Sequence, residues 1–228
     1  MPIFHAPLHE IDAKETKRYA GLASAKHFDE GIVRAACEDA LLLAKPQGIW
    51  QLYDYDCQTH VVQSDPPFPL EGEKIAKHLA HCEKVIVLSA TVGDAIEQEA
   101  TKRFDEGHYA EGVLLDTAAS AAVEQVADGM ENYLRPKAAA KGYAMRWRFS
   151  PGYGDWPLTA QPELVRIIDA AKIGVTLSSS LMLMPRKSIT AIIGLYPAEE
   201  NGAADRAHAH MPSGCAACPK TDCPSRKV

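Results

Sequence analysis

The sequence predicts an α+β protein, a single domain on a twisted, mostly antiparallel β-sheet flanked by helices. Three observations point there. Strand-like and helix-like segments do not alternate regularly, which argues against a doubly wound parallel sheet. The run Lys84–Ser89 is short, apolar and bounded like a buried strand. The stretch Ala110–Leu134 reads as a long helix with Ala118, Ala119, Ser120, Ala121 and Ala122 at its centre, so another element can pack close to it. At 228 residues and 46% hydrophobic, the chain can bury a substantial core.

Taken in order, Asp29–Lys45 reads as a helix with Ile32, Val33, Ala36, Cys37, Ala40, Leu41 and Ala44 on one face, ended by Pro46 and Gly48. A strand is expected at Ile49–Tyr55, and Asp65-Pro66-Pro67-Phe68-Pro69 forms a stiff connector. A helix at Glu71–His81 leads into the strand at Lys84–Ser89. Thr91, with Asp94 three residues on, resembles a capping box opening a helix from Gly93 to Glu106. After the long helix come a short strand at Tyr143–Trp147, a helix from about Gln161, and strands at Val175–Met184 and Ser188–Leu195. Residues 197–228 are poor in large apolar side chains and read as a tail. The expected organisation is an N-terminal helical and strand region (1–83) packed on a core (84–196), followed by a cysteine-containing tail (197–228).

Composition removes several classes of function. A net charge of −6 argues against a nucleic-acid footprint, which needs a basic stripe. No apolar run reaches the length of a membrane span, and the N-terminus lacks a basic-then-apolar signal pattern, so a soluble cytoplasmic protein is expected. The six cysteines then read as thiols or metal ligands rather than disulfides. Val85–Leu88 followed by Thr91-Val92-Gly93 is a strand and turn with one glycine, not a dinucleotide fingerprint. There is no P-loop, no Gly-x-Ser-x-Gly and no metallopeptidase helix. His81 and His108 are isolated, and no catalytic constellation is expected.

The informative segment is Arg148-Phe149-Ser150-Pro151-Gly152-Tyr153-Gly154-Asp155-Trp156-Pro157. Pro151 fixes its own φ and pushes Ser150 towards extended backbone. Gly152 and Gly154 permit positive φ or close approach of another molecule. Tyr153 and Trp156 offer flat faces with polar tips, and Arg148 offers a fork of donors suited to a carboxylate. The combination suits a flat, polar, carboxylate-bearing small molecule. The plainer alternative is a rigid loop whose aromatics cap the core.

Arg-x-x-Pro-Gly-Tyr followed by Pro resembles the signature of the reactivation domain of cobalamin-dependent methionine synthase. The likeness continues through Ile173-Gly174-Val175-Thr176-Leu177-Ser178, then Ser180, Met184-Pro185 and Ser188-Ile189. It spans about residues 84–196 and is strongest from Arg148 to Ile189. The Gly-Tyr-Gly-Asp-Trp variant is similar to free-standing members of that family.

The resemblance implies an activation-domain-like fold that binds S-adenosylmethionine through Arg148, Ser150, Gly152 and Tyr153, with Glu124 matching a helical glutamate of the family. It also implies reductive methylation of cobalamin carried by a partner, either methionine synthase or another corrinoid protein, with a flavodoxin or ferredoxin-like electron donor. The family's N-terminal aspartate has no aligned counterpart in residues 1–70, and its C-terminal strand tyrosine is not matched before the tail begins.

The tail carries Cys215, Cys218 and Cys223 in a C-x2-C-x4-C spacing, with His208 and His210 upstream. Such thiols suit zinc or an iron–sulfur cluster, and free thiols are the alternative. A small metal-binding or electron-transfer accessory of corrinoid metabolism is the second functional reading. Cys37 and Cys82 read as small core residues on helix faces, and Cys57 is undecided.

Overall fold

The computed structural model describes residues 3–23, 25 and 28–198. The expectations placed on Cys215, Cys218 and Cys223 lie outside them. The chain forms two compact units. One comprises residues 1–7, 45–93 and 126–200, and the other 8–44, 94–125 and 201–228.

The first unit holds an antiparallel sheet: β1 (Ile3–Phe4), β2 (Gln47–Asp56), β3 (Val61–Val62), β4 (Phe68–Pro69), β5 (Lys84–Thr91), β6 (Tyr143–Met145) and β9 (Ser188–Pro197). The order is β4-β3-β2-β5-β9-β6, with β1 also pairing β2. A separate hairpin is made by β7 (Thr176–Leu177) and β8 (Leu183–Met184). The α+β class and the mostly antiparallel sheet follow as expected.

β5 explains the order. Every side chain from Val85 to Thr91 is buried, so the strand needs a neighbour on each edge and cover on each face. It pairs along its whole length with β2, from Gln47↔Thr91 to Asp54↔Lys84, and with β9, from Lys84↔Leu195 to Thr91↔Ser188. On one face Ile49, Val85, Val87 and Ile192 join a core with Trp156, Leu164, Ile168, Ile173 and Val175. That core is completed by α3 (Glu73–His78) and α6 (Gln161–Ile167), which contribute Ile75 and Leu164. On the other face Gly48 leaves room for Met130 of the long helix α5 (Tyr109–Ala139), since a Cβ there would stand 2.2 Å from the Met130 sulfur.

The second unit is helical among its described residues. It comprises α1 (Ala13–Tyr19), α2 (Glu30–Leu43), α4 (Ala95–Asp105) and the first part of α5. Asp12 caps α1 by accepting from the amides of Lys14 and Glu15, and Asp29 caps α2 through Gly31. Gln125 of α5 accepts from the Asp12 amide at 3.0 Å and donates to the Glu10 carbonyl at 3.1 Å. Arg103 of α4 reaches Asp39 of α2 at 2.6 Å. No helix among the described residues is long and apolar enough to cross a membrane.

Several local expectations need correction. The segment Val175–Met184 is a two-rung hairpin rather than one strand, because Ser178 turns the chain by accepting the Met182 amide at its hydroxyl. Thr91 opens no helix. It ends β5 and its hydroxyl accepts from the Gly93 amide, while Asp94 stands at the start of α4 without a capping hydrogen bond. The stiff connector contains β4. Cys82 is buried as expected but lies just past α3, not on a helix face.

Gly194 of β9 offers a direct test of packing. A Cβ there would lie 2.5 Å from the Cys82 sulfur and 2.8 Å from Leu79 Cδ2, both on fully buried residues. Gly194→Ala is expected to destabilise the protein by about 1–3 kcal/mol through overpacking, measured by urea unfolding; an unchanged midpoint contradicts this packing.

Candidate functional site

The segment from Trp147 to Trp156 connects the sheet to α6 and is tied down residue by residue. Phe149 exchanges two backbone hydrogen bonds with Ile192 of β9, at 2.9 and 2.8 Å, although β6 has already ended at Met145. The Gly152 amide donates to the Trp156 carbonyl at 2.8 Å, Tyr153 N to Ser150 O at 3.2 Å, and Trp156 N to Tyr153 O at 3.1 Å. These amides are spent inside the turn. Gly152 has φ 88°, a conformation that costs a side chain dearly and glycine nothing.

The aromatic residues divide. Trp156 is 1% exposed and packs 6.2 Å from the Phe149 ring, so it caps the core as the plainer reading had it. Tyr153 is 67% exposed and caps nothing. Ser150 is half-buried, while Gly152 lies at the surface. The loop therefore holds itself with its backbone and its buried residues, and displays Ser150, Gly152 and Tyr153.

Arg148 is already paired. Its Nη1 donates to Glu131 at 2.6 Å and lies 2.7 Å from an Asp128 carboxylate oxygen, both on α5. Arg135, one turn further along the helix, comes within 3.7 Å of Glu131. The fork that the sequence offered to a carboxylate is thus held by two carboxylates of the protein itself. Glu131 is well covered, its side chain 14% exposed. Burial pushes its carboxyl above the usual range, against the opposing pull of Arg148. The spacing Asp128–Glu131, three apart on one helical face, was the available sequence signal.

Glu124 lies on the same helix but belongs to the second unit, where its charge adds to burial in raising the Tyr19 phenol. Among the described residues no group of three His, Cys, Asp or Glu side chains is placed to hold a metal.

His78 stands behind the loop and was not singled out by the sequence. It is 8% exposed, its Nε2 donates to the Trp147 carbonyl at 2.9 Å, and its ring lies 4.5 Å from Trp147 and 5.2 Å from Phe149. Burial first, then the Arg146 charge, outweighs the hydrogen bond to Trp147 and holds its pKa down to about 4.

Neither a protein-family model nor a curated protein matches the chain. Among solved structures, a crystal structure of the MetH reactivation domain bound to AdoHcy aligns with 86% of this chain and 79% of its own, at a TM-score of 0.59 and 12% identity. This chain has the reactivation-domain fold. At that identity the likeness concerns architecture alone: the antiparallel sheet and its helices are shared with the MetH domain.

His78 yields a pH prediction whose sign is settled by the two states. The unfolded chain binds a proton near pH 6.5 and the folded one near pH 4, so neutral His78 supports the fold fully above pH 6.5 and that support is lost as pH falls to 4. Two and a half decades in proton affinity set a ceiling of about 3 kcal/mol. Stability measured by urea unfolding should fall across this window in the wild type and markedly less in His78→Gln. Equal slopes in the two proteins would refute the assignment.

Proposed function

We propose that this protein binds S-adenosylmethionine at the Arg148–Tyr153 loop and supports reductive methylation of cobalamin carried by a separate methyltransferase or corrinoid protein. The observation that carries the reading is the Arg-x-x-Pro-Gly-Tyr loop occurring in the fold of a domain solved with AdoHcy. An external electron takes cob(II)alamin to cob(I)alamin, which attacks the sulfonium methyl carbon: a cobalt–carbon bond forms, the carbon–sulfur bond breaks and S-adenosylhomocysteine leaves. A flavodoxin or ferredoxin-like protein is a suitable donor.

The residues present suit each part of the ligand. The exposed Tyr153 ring gives a flat face for adenine, and Ser150 a hydroxyl for hydrogen bonding. Gly152 lets the ligand approach the main chain closely. Glu131 and Asp128 hold Arg148 in place, and the ligand carboxylate takes the place of Asp128 on the guanidinium, Asp128 being the more exposed of the two at 63%. No general acid or base is called for, because the cobalt nucleophile and the sulfonium leaving group already supply the driving chemistry.

Calorimetry with millimolar S-adenosylmethionine should give binding heat. Arg148→Ala should weaken binding by about 1.5–3 kcal/mol, the loss of a charge-assisted hydrogen bond. Wild-type protein that produces no heat ends the proposal.

The protein alone should methylate no small molecule. Mixed with a co-expressed corrinoid protein and a reductant, it should convert the cob(II)alamin absorption to that of the methylated form only when S-adenosylmethionine is added. Turnover without any corrinoid protein contradicts the proposed role.

A further inference from the structure

α3 meets the loop at both of its ends. At its start the Asp155 carboxylate accepts hydrogen bonds from the Glu73 amide at 2.8 Å and from the Lys74 amide at 3.0 and 3.2 Å. Gly72, which precedes the helix, has no side chain to do this and sits at φ 126°. The helix is therefore capped from 82 residues away in sequence. The two backbones come close because glycine stands on each side. A Cβ on Gly72 would lie 3.0 Å from an Asp155 carboxylate oxygen and 3.1 Å from its carbonyl, and one on Gly154 would lie 2.7 Å from Lys74 Cδ.

At the other end, His78 holds the Trp147 carbonyl and packs its ring on Trp147 and Phe149. Between the two ends Ile75 is fully buried in the same core as Trp156, and so is Leu79 one residue beyond the helix. Six helical residues at 1.5 Å per residue make a rigid span of about 9 Å.

We infer that α3 is a strut for the Trp147–Trp156 loop, with Asp155 and His78 as positioning residues that hold Ser150, Gly152 and Tyr153 in their binding arrangement. The S-adenosylmethionine reading enters only in what the loop binds. That α3 sets the loop's shape rests on the contacts above.

Amide hydrogen exchange on the full chain tests this. The amides of Gly152, Tyr153 and Trp156 are bonded within the turn, so they report its opening directly. In Asp155→Ala and in His78→Leu they should exchange about tenfold faster or more, while the amides of β5 keep their wild-type rates. Asp155→Asn and His78→Gln, which each retain one hydrogen-bonding group, should recover part of the protection. Affinity for S-adenosylmethionine should fall about tenfold in step with loop opening.

Loop amides that stay at wild-type rates overturn the inference. So does acceleration of β5 in parallel with the loop, which marks a general loss of stability. A wild-type protein that binds no S-adenosylmethionine, yet whose loop loosens in these variants, defeats the binding proposal and leaves the strut standing. Should His78→Leu fail to fold, Asp155→Ala carries the test, because Asp155 lies at the surface.

Discussion

The pairing of β5 is the constraint on which its unit depends. A strand buried from Val85 to Thr91 cannot lie at an edge, where its amides and carbonyls would go unpaired away from water. It forces β2 and β9 into full-length register on either side, and each of its faces then demands a layer. The loop from Trp147 to Trp156 inherits its place from this arrangement. Phe149 is hydrogen-bonded to β9 in both directions, and Trp156 is sealed in the layer over Val85 and Val87. The loop is in effect an irregular continuation of the sheet edge.

The electrostatics of Arg148 follow from its surroundings. A half-buried guanidinium needs compensation, and Glu131 supplies it at the cost of its own desolvation, which is why that carboxyl titrates high. Asp128 meets the same Nη1 from the solvent side. The pair fixes the guanidinium's direction, and it makes Asp128 the contact that an incoming carboxylate displaces most easily, since an exposed ion pair contributes little. Under the proposed function the ligand therefore exchanges one partner of Arg148 rather than creating a site from nothing.

Much of the fold was legible in the sequence because it is written in local patterns. The amphipathic face of α2, the apolar run of β5 and the breaks at Pro46 and Pro197 are each decided by neighbours in the chain. The hairpin β7–β8 was missed because its turn depends on a side chain, Ser178, bonding back to the backbone, which leaves no mark in hydrophobic periodicity. α1 was missed although Asp12 and Glu15 form a recognisable start, because the helix is only seven residues long with little apolar periodicity. The candidate site was half legible. Arg148 and Tyr153 stand out by composition, but the carboxylates on Arg148 lie 17 and 20 residues upstream and His78 lies 69 residues before Trp147. Such pairings are made by tertiary structure, and no spacing rule announces them.

The residues of the loop motif thus separate into two groups with different physical tasks. Phe149, Pro151 and Trp156 are covered or bonded to the sheet, and Asp155 spends its carboxylate on α3. These four shape the loop. Ser150, Gly152 and Tyr153 are what the loop shows to its surroundings. A sequence that retains the first group reports that this loop conformation is present, whatever the ligand. Under the proposed function, ligand identity rests on the displayed three and on Arg148. That separation explains how a fold can be shared with the MetH domain at 12% identity while the recognisable stretch of sequence remains short. The core can exchange one apolar residue for another of similar volume, but a turn that bonds the amides of Gly152, Tyr153 and Trp156 internally, and whose Gly154 sits against α3, has few substitutes.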